Sequence, residues 1–219
     1  MSKSIMIIGA GPGIGQAVAQ RFGKAGWSIV LTGRNVERVE GLVASLAAQG
    51  IKAHAVPADA ADPAALRAAI AQAESLTGGL SAIHYNAANI RQQDLFSMTD
   101  AEIEQDLAVN LVGGLHTIRA AEALFGERGG TILITGGGLG VAPHPGYASL
   151  GLGKAALRNI VQGLAKPLGE RGIRIALATV ASSITAGSVE ASDVADIFWD
   201  FATGERTGWE AAYPPVAAG

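Results

Sequence analysis

Hydrophobic residues recur along this chain in two alternating patterns. Short runs that are apolar on consecutive positions predict strands at Ser4–Ile8, Ser28–Thr32, Lys52–Pro57, Ala82–Asn86, Thr131–Thr135 and Ile173–Val180. Between them, apolar positions spaced three and four apart predict helices over Gly13–Ala25, Asn35–Gln49, Pro63–Thr77, Thr99–Glu127 and about Ser149–Arg171, with another in ASDVADIFWDF. Strands without a polar face belong in a sheet covered on both sides. Repeating strand–helix units of this kind predict a single-domain α/β fold, a doubly wound parallel sheet of the Rossmann type. The stretch from Thr203 to Gly219 is rich in Gly, Pro and Ala and is expected to be irregular, with Trp209 and Tyr213 pinning part of it to the body.

Composition narrows the partners. Of 219 residues, 49% are hydrophobic and 16% charged, which suits a well-buried globular fold. The net charge of −3, without a basic run, gives no reason to expect nucleic acid or an anionic membrane surface. The absence of cysteine removes disulfides, thiolate nucleophiles and cysteine–metal sites. The apolar run before Gly9 is too short for a signal peptide, and no segment approaches the roughly 18 apolar residues of a membrane helix. The expectation is a cytoplasmic domain. The four histidines, His54, His84, His116 and His144, lack metal-ligand spacing and are expected to pack or face solvent.

Candidate chemistry begins directly after the first strand, in GAGPGIG. A turn lacking Cβ atoms, followed by a helix N-terminus, lets the backbone at Gly9, Gly13, Ile14 and Gly15 approach a pyrophosphate. The second strand ends in LTGRN, where a carboxylate would accept from the ribose hydroxyls of NAD. Arg34 stands there instead, which favours the 2′-phosphate of NADP over NAD. It also argues against S-adenosylmethionine, whose ribose calls for an acid. Asp59 ends the third strand, within reach of an adenine amino group, while Asp62 before Pro63 reads as a helix cap.

This order of motifs resembles the short-chain dehydrogenase/reductase family over about Ser4 to Thr185. GAGPGIG looks like its cofactor turn. YNAAN, with Asn86 and Ala87, resembles its segment after the fourth strand. VNLVG carries an asparagine, Asn110, like the one that holds a relay water in that family, and GKAALRN resembles the start of its catalytic helix after the lysine. The resemblance implies NADP-dependent hydride transfer between nicotinamide and a small carbonyl or alcohol substrate. A tyrosine would act as general acid, a lysine would bind the ribose and lower the tyrosine pKa, and a serine would polarise the carbonyl. Thr185 falls where a family threonine meets the nicotinamide amide. The resemblance also implies homodimers or homotetramers built on the two longest helices.

Departures from the family pattern fall on the chemistry. Aligning Lys154 with the family lysine puts Leu150 at the tyrosine position and leaves the serine position near Gly137. Aligning Tyr147 instead places Thr135 near the serine position but Gly151 at that of the lysine. Seven residues on a regular helix turn through about 700°, so Tyr147 and Lys154 would share a face, separated by roughly 10 Å along the axis. Gly151 and Gly153 would each cost about 1 kcal/mol inside a helix, and Ser149 is a good N-cap, which predicts a helix starting after Tyr147. The catalytic candidates are therefore Tyr147, Lys154, Thr135 and Asn110. Two readings stay open: a reductase with a displaced tyrosine, and a non-catalytic NADP-binding sensor or scaffold. Few residues separate Thr185 from the last helix, so the site is expected to lack the usual lid.

Overall fold

A computed structural model describes residues 3–215. Seven strands form one parallel sheet in the order β3-β2-β1-β4-β5-β6-β7. They are β1 (Ser4–Ile8), β2 (Ser28–Thr32), β3 (Ala53–Ala55), β4 (Ala82–Tyr85), β5 (Gly130–Thr135), β6 (Ile173–Val180) and β7 (Glu210–Tyr213). The helices are α1 (Ile14–Lys24), α2 (Val36–Ala47), α3 (Pro63–Thr77), α4 (Asp100–Leu107), α5 (Gly113–Phe125), α6 (Ala148–Gly169) and α7 (Val189–Thr203). Helices α1, α2 and α7 cover one face of the sheet and α3, α5 and α6 the other. Strand β1 feeds both cores in alternation, Ile5 and Ile7 to one and Met6 and Ile8 to the other, as the period of two requires. No helix among the described residues is long and apolar enough to cross a membrane.

Local sequence chemistry explains most boundaries. Asp62 caps α3 ahead of Pro63, as expected, and Asn35 caps α2 by accepting from Arg38 N. Thr99 and Glu102 form a capping box that starts α4. The single helix expected over Thr99–Glu127 is interrupted by a π-turn at Ala108–Val112. There the buried Tyr85 hydroxyl donates to Val109 O, and the Asn110 side chain reaches the loop after β4. A π-turn of this kind re-aims side chains at functional sites.

Two expectations are corrected. The tail is not wholly irregular, because β7 pairs in parallel with β6, from Leu177 opposite Glu210 to Val180 opposite Tyr213. The strand EAAY carries little β-propensity; the open edge of β6 and three anchors hold it there. Glu210 binds Arg158 and Thr179, while Tyr213 donates to Asp193 and Trp209 packs on the core. Secondly, Tyr147 rather than Ser149 is the N-cap of α6, and both glycines lie inside the helix. The intrinsic cost of Gly153 is offset by close packing: a Cβ there would meet Asn110 O at 2.7 Å.

Candidate active site

The strand order reverses direction between β1 and β4, and the crevice outside their carboxyl ends is where such sheets bind ligands. A cavity of about 1470 Å³ opens there. That exceeds the roughly 300–1,000 Å³ of a single ligand pocket. One end is lined by Gly9, Ala10, Gly11 and Ile14 of the glycine turn, with Arg34, Arg38 and Asp59 beyond them. Asn86, Ala87 and Thr135 form the middle, and Tyr147, Leu150 and Lys154 the wall on α6.

The glycine turn is held against the β4 loop. Gly9 has φ 88°, and a Cβ on it would lie 2.4 Å from Ala87 Cα, so no other residue fits. Asn86 N donates to Ile8 O, and Asn86 Nδ2 donates to Gly9 O. Gly13, the N-cap of α1, places no side chain over the helix N-terminus. Neither Gly13 nor Gly15 lines the cavity; a Cβ on Gly15 would press at 3.2 Å against Ala10 and Gly9. A phosphate would fit this cradle. At its far end Arg34 and Arg38 are exposed, and neither makes an ion pair among the described residues. Arg38 was not singled out from the sequence, although it lies one helical turn beyond Arg34.

At the centre, hydrogen-bond direction can be deduced. Gly9 O only accepts, so Asn86 presents Nδ2 to it and Oδ1 to Thr135. Thr135 Oγ1 therefore donates to Asn86 Oδ1 at 2.8 Å and accepts from His84 Nε2 at 2.8 Å. His84 is thus the Nε2–H tautomer, with Nδ1 buried and unpartnered among the described residues. Burial, with the nearby Lys154 charge, pushes its pKa down to about 3. The Thr135 proton is committed to Asn86, which is not how a serine polarising a substrate carbonyl would be arranged.

Lys154 is nearly buried, at 9% exposure, and Nζ donates to Thr135 O at 2.7 Å. Burial lowers its pKa to about 8. Glycines make room for it, since a Cβ on Gly137 would meet its stem at 3.3 Å and one on Gly140 its carbonyl carbon at 2.8 Å. Leu150 lies one helical turn before Lys154, and Tyr147 lies at the helix start in a non-helical conformation. Both line the cavity. His144 packs its ring edge on Tyr147.

The sequence reading missed a second polar cluster. Asp106 is fully buried and accepts from Arg91 Nε at 2.8 Å, Ser149 Oγ at 2.7 Å and Asn89 Nδ2 at 2.8 Å. Burial opposes its charge, but these donors, Arg91 foremost, outweigh it and hold the carboxyl below its usual range. Asn110 fixes the same loop by accepting from Asn89 N and donating to Asn89 O. Asn110 itself does not line the cavity, nor does Thr185, which is exposed beyond β6. A signal existed: Asp106 and Asn110 stand four apart, on one face of a helical segment.

With this geometry in view, similarity to known proteins is informative. Residues 3–194 match the family described as short chain dehydrogenase. The chain belongs to the short-chain dehydrogenase/reductase family of oxidoreductases. It is 31% identical over 184 residues to 2,3-dihydro-2,3-dihydroxybenzoate dehydrogenase of Bacillus subtilis, covering 84% of this chain and 70% of that one. It is 28% identical over 177 residues to a 3-oxoacyl-acyl-carrier-protein reductase of Staphylococcus aureus, covering 80% and 72%. Among solved structures, a short chain dehydrogenase from Burkholderia cenocepacia in complex with NADP superposes with a TM-score of 0.84 at 29% identity, over 95% of this chain and 94% of the other. The family binds nicotinamide cofactors, and the fold and glycine cradle found here fit one.

Proposed function

We propose that this chain is an NADP-dependent oxidoreductase that interconverts a carbonyl and an alcohol, with Tyr147 as the proton-transfer group. The observation that carries this reading is a single cavity with two unpaired guanidiniums at one end and Tyr147 with Lys154 at the other. Gly9, Gly11 and Ile14 would hold the pyrophosphate, Arg34 and Arg38 the 2′-phosphate, and Asp59 the adenine amino group. When bound, the nicotinamide supplies or accepts the hydride. Tyr147 then gives its phenolic proton to the developing alkoxide, or takes it back in oxidation. Lys154, protonated at neutral pH, would hold the ribose and would stabilise the phenolate by its charge. Thr135 acts in this reading as a positioning group, locking Asn86 and through it Gly9, in place of the carbonyl-polarising role the resemblance implied. Asn110 does the same for the loop at Asn89.

A second reading has its own observation. Leu150 occupies the helical position one turn before Lys154, facing the same cavity, where the resemblance implied a tyrosine. A protein that keeps the cofactor cradle but has lost the proton donor would be an NADP-binding sensor or scaffold.

One experiment separates the two. NADPH consumption is followed with a panel of aldehydes and ketones, beside NADPH binding, in the wild type and Tyr147→Phe. The reductase reading expects turnover that Tyr147→Phe reduces by at least about 100-fold, the scale of a lost general acid, with cofactor binding retained. Binding without turnover in both proteins would favour the sensor.

A further inference from the structure

The part of the cavity around Tyr147 has a wall of one chemical kind. Beyond Asn86, its lining comes from the loops after β4 and β5 and the first turn of α6: Ala88, Ile90, Leu139, Val141, Ala142 and Leu150. Ile90 is 77% exposed and Val141 59% exposed. Other large apolar side chains, such as Phe96, are also exposed, but these two face the cavity that holds Tyr147. Water against such side chains is displaced favourably by an apolar ligand body.

The charge inventory of the cavity points the same way. Its cationic lining residues are Arg34, Arg38, Lys154 and Arg158. Arg34 and Arg38 stand at the ends of β2 and α2, the cofactor's far end. Lys154 is buried and bonded to Thr135 O. Arg158 is neutralised by a bidentate pair with Glu210, at 2.7 Å for both contacts. Beside the cavity, Arg91 is taken by Asp106 and Glu102. His144, exposed and outside the cavity lining, packs on the Tyr147 ring; among the described residues no lysine or arginine is left free near Tyr147 to balance an anionic group on a substrate, and an unpaired anion brought against an apolar wall is strongly disfavoured.

The site is also short of cover. Only residues 181–188 lie between β6 and α7, so no helix closes over the cavity there. A long or bulky substrate can project into solvent.

Resting on the reductase reading, we propose that the substrate is an uncharged carbonyl compound with a bulky apolar body next to its reacting carbon. It is not a small keto acid, a sugar phosphate or a sulfonated aldehyde. The test uses a matched pair, 2-acetylnaphthalene and 6-acetyl-2-naphthoate, which differ by one carboxylate. Binding to the NADP⁺-loaded protein is measured by calorimetry, and turnover with NADPH separately. The neutral ketone is expected to bind at least about 30-fold more tightly, the scale set by placing a carboxylate without a partner. Val141→Arg and, as an independent exposed position, Ile90→Arg are each expected to shrink that preference at least about 10-fold by supplying the missing partner. Equal or tighter binding of the carboxylate by the wild type would overturn the proposal, as would no binding of the neutral ketone up to its solubility limit. Binding as expected without NADPH consumption would leave the pocket assignment standing and count against the reductase reading alone.

Discussion

The hydroxyl of Ser149 donates to the carboxylate of Asp106 across 2.7 Å, joining the first turn of α6 to α4. Tyr147 sits two residues before that hydroxyl, and Asn89, in the loop after β4 whose neighbours Ala88 and Ile90 line the opposite wall, binds the same carboxylate. One buried acid therefore sets the spacing between the two walls, and its charge also favours the N-terminus of α6. Ser149→Ala removes a hydrogen bond to a charged group, worth about 1.5–3 kcal/mol. Turnover is expected to fall several-fold while NADPH affinity stays within about two-fold, and Ser149→Thr should restore it. Parallel kcat and cofactor-binding measurements check this.

Asp106→Ala is expected to be far more damaging to the fold. It leaves the Arg91 guanidinium without its main partner and strands Ser149 and Asn89 together. Removing the buried carboxylate leaves its donors unpaired and destabilises the fold, though Glu102 retains part of the Arg91 charge pairing. Denaturant unfolding should show the loss, with a midpoint well below that of Ser149→Ala.

Lys154 is held at the cost of its own solvation. Its pKa falls from 10.5 to about 8 on folding. Between those values the unfolded chain binds the extra proton, so this group makes stability rise with pH from about 8 to 10.5. Below pH 8 the buried ammonium costs roughly 3 kcal/mol, because one pKa unit is about 1.4 kcal/mol. Lys154→Met should raise the thermal midpoint at pH 7, by less at pH 10, and should abolish turnover. Melting curves at both pH values test the sign; destabilisation at pH 7 would contradict it.

His84 acts in the opposite pH range. Its folded pKa of about 3 lies below the ordinary histidine value of 6.5. The unfolded state takes up the proton first, so stability is complete above pH 6.5 and falls as pH drops toward 3, by up to roughly 5 kcal/mol. His84→Gln keeps a donor for Thr135 but does not titrate. Its acid unfolding midpoint should move to lower pH than that of the wild type.

The two guanidiniums at the cavity end, Arg34 and Arg38, bear on cofactor choice. Arg34→Ala with Arg38→Ala should weaken NADPH binding about 10- to 100-fold, the loss of two charge-assisted contacts to one phosphate. NADH binding should change little. A parallel loss for both cofactors would place the arginines elsewhere in the site's economy, and fluorescence titration with each cofactor distinguishes the cases.

How much of this was legible in the sequence depends on the range over which each feature is determined. Strands β1, β2 and β6, helix α3 with its Asp62 cap, and the glycine turn are written locally, in apolar runs and cap chemistry that a few neighbouring residues suffice to specify. Arg34 was visible because its strand-end position follows from those runs. By contrast, EAAY becomes a strand only because β6 offers an edge and Arg158, 52 residues away, holds Glu210. Gly153 looks like a helix breaker until Asn110, from another element, is packed against it at a distance no side chain allows. The direction of the Thr135 proton depends on a chain of donors running from His84 to Gly9, which no local pattern encodes. The sequence by itself determined six of the seven strands and the glycine turn that follows the first. Tertiary structure decided which of Tyr147 and Leu150 reach the cavity, namely both, because α6 is docked through glycines and a buried acid rather than through its own propensity.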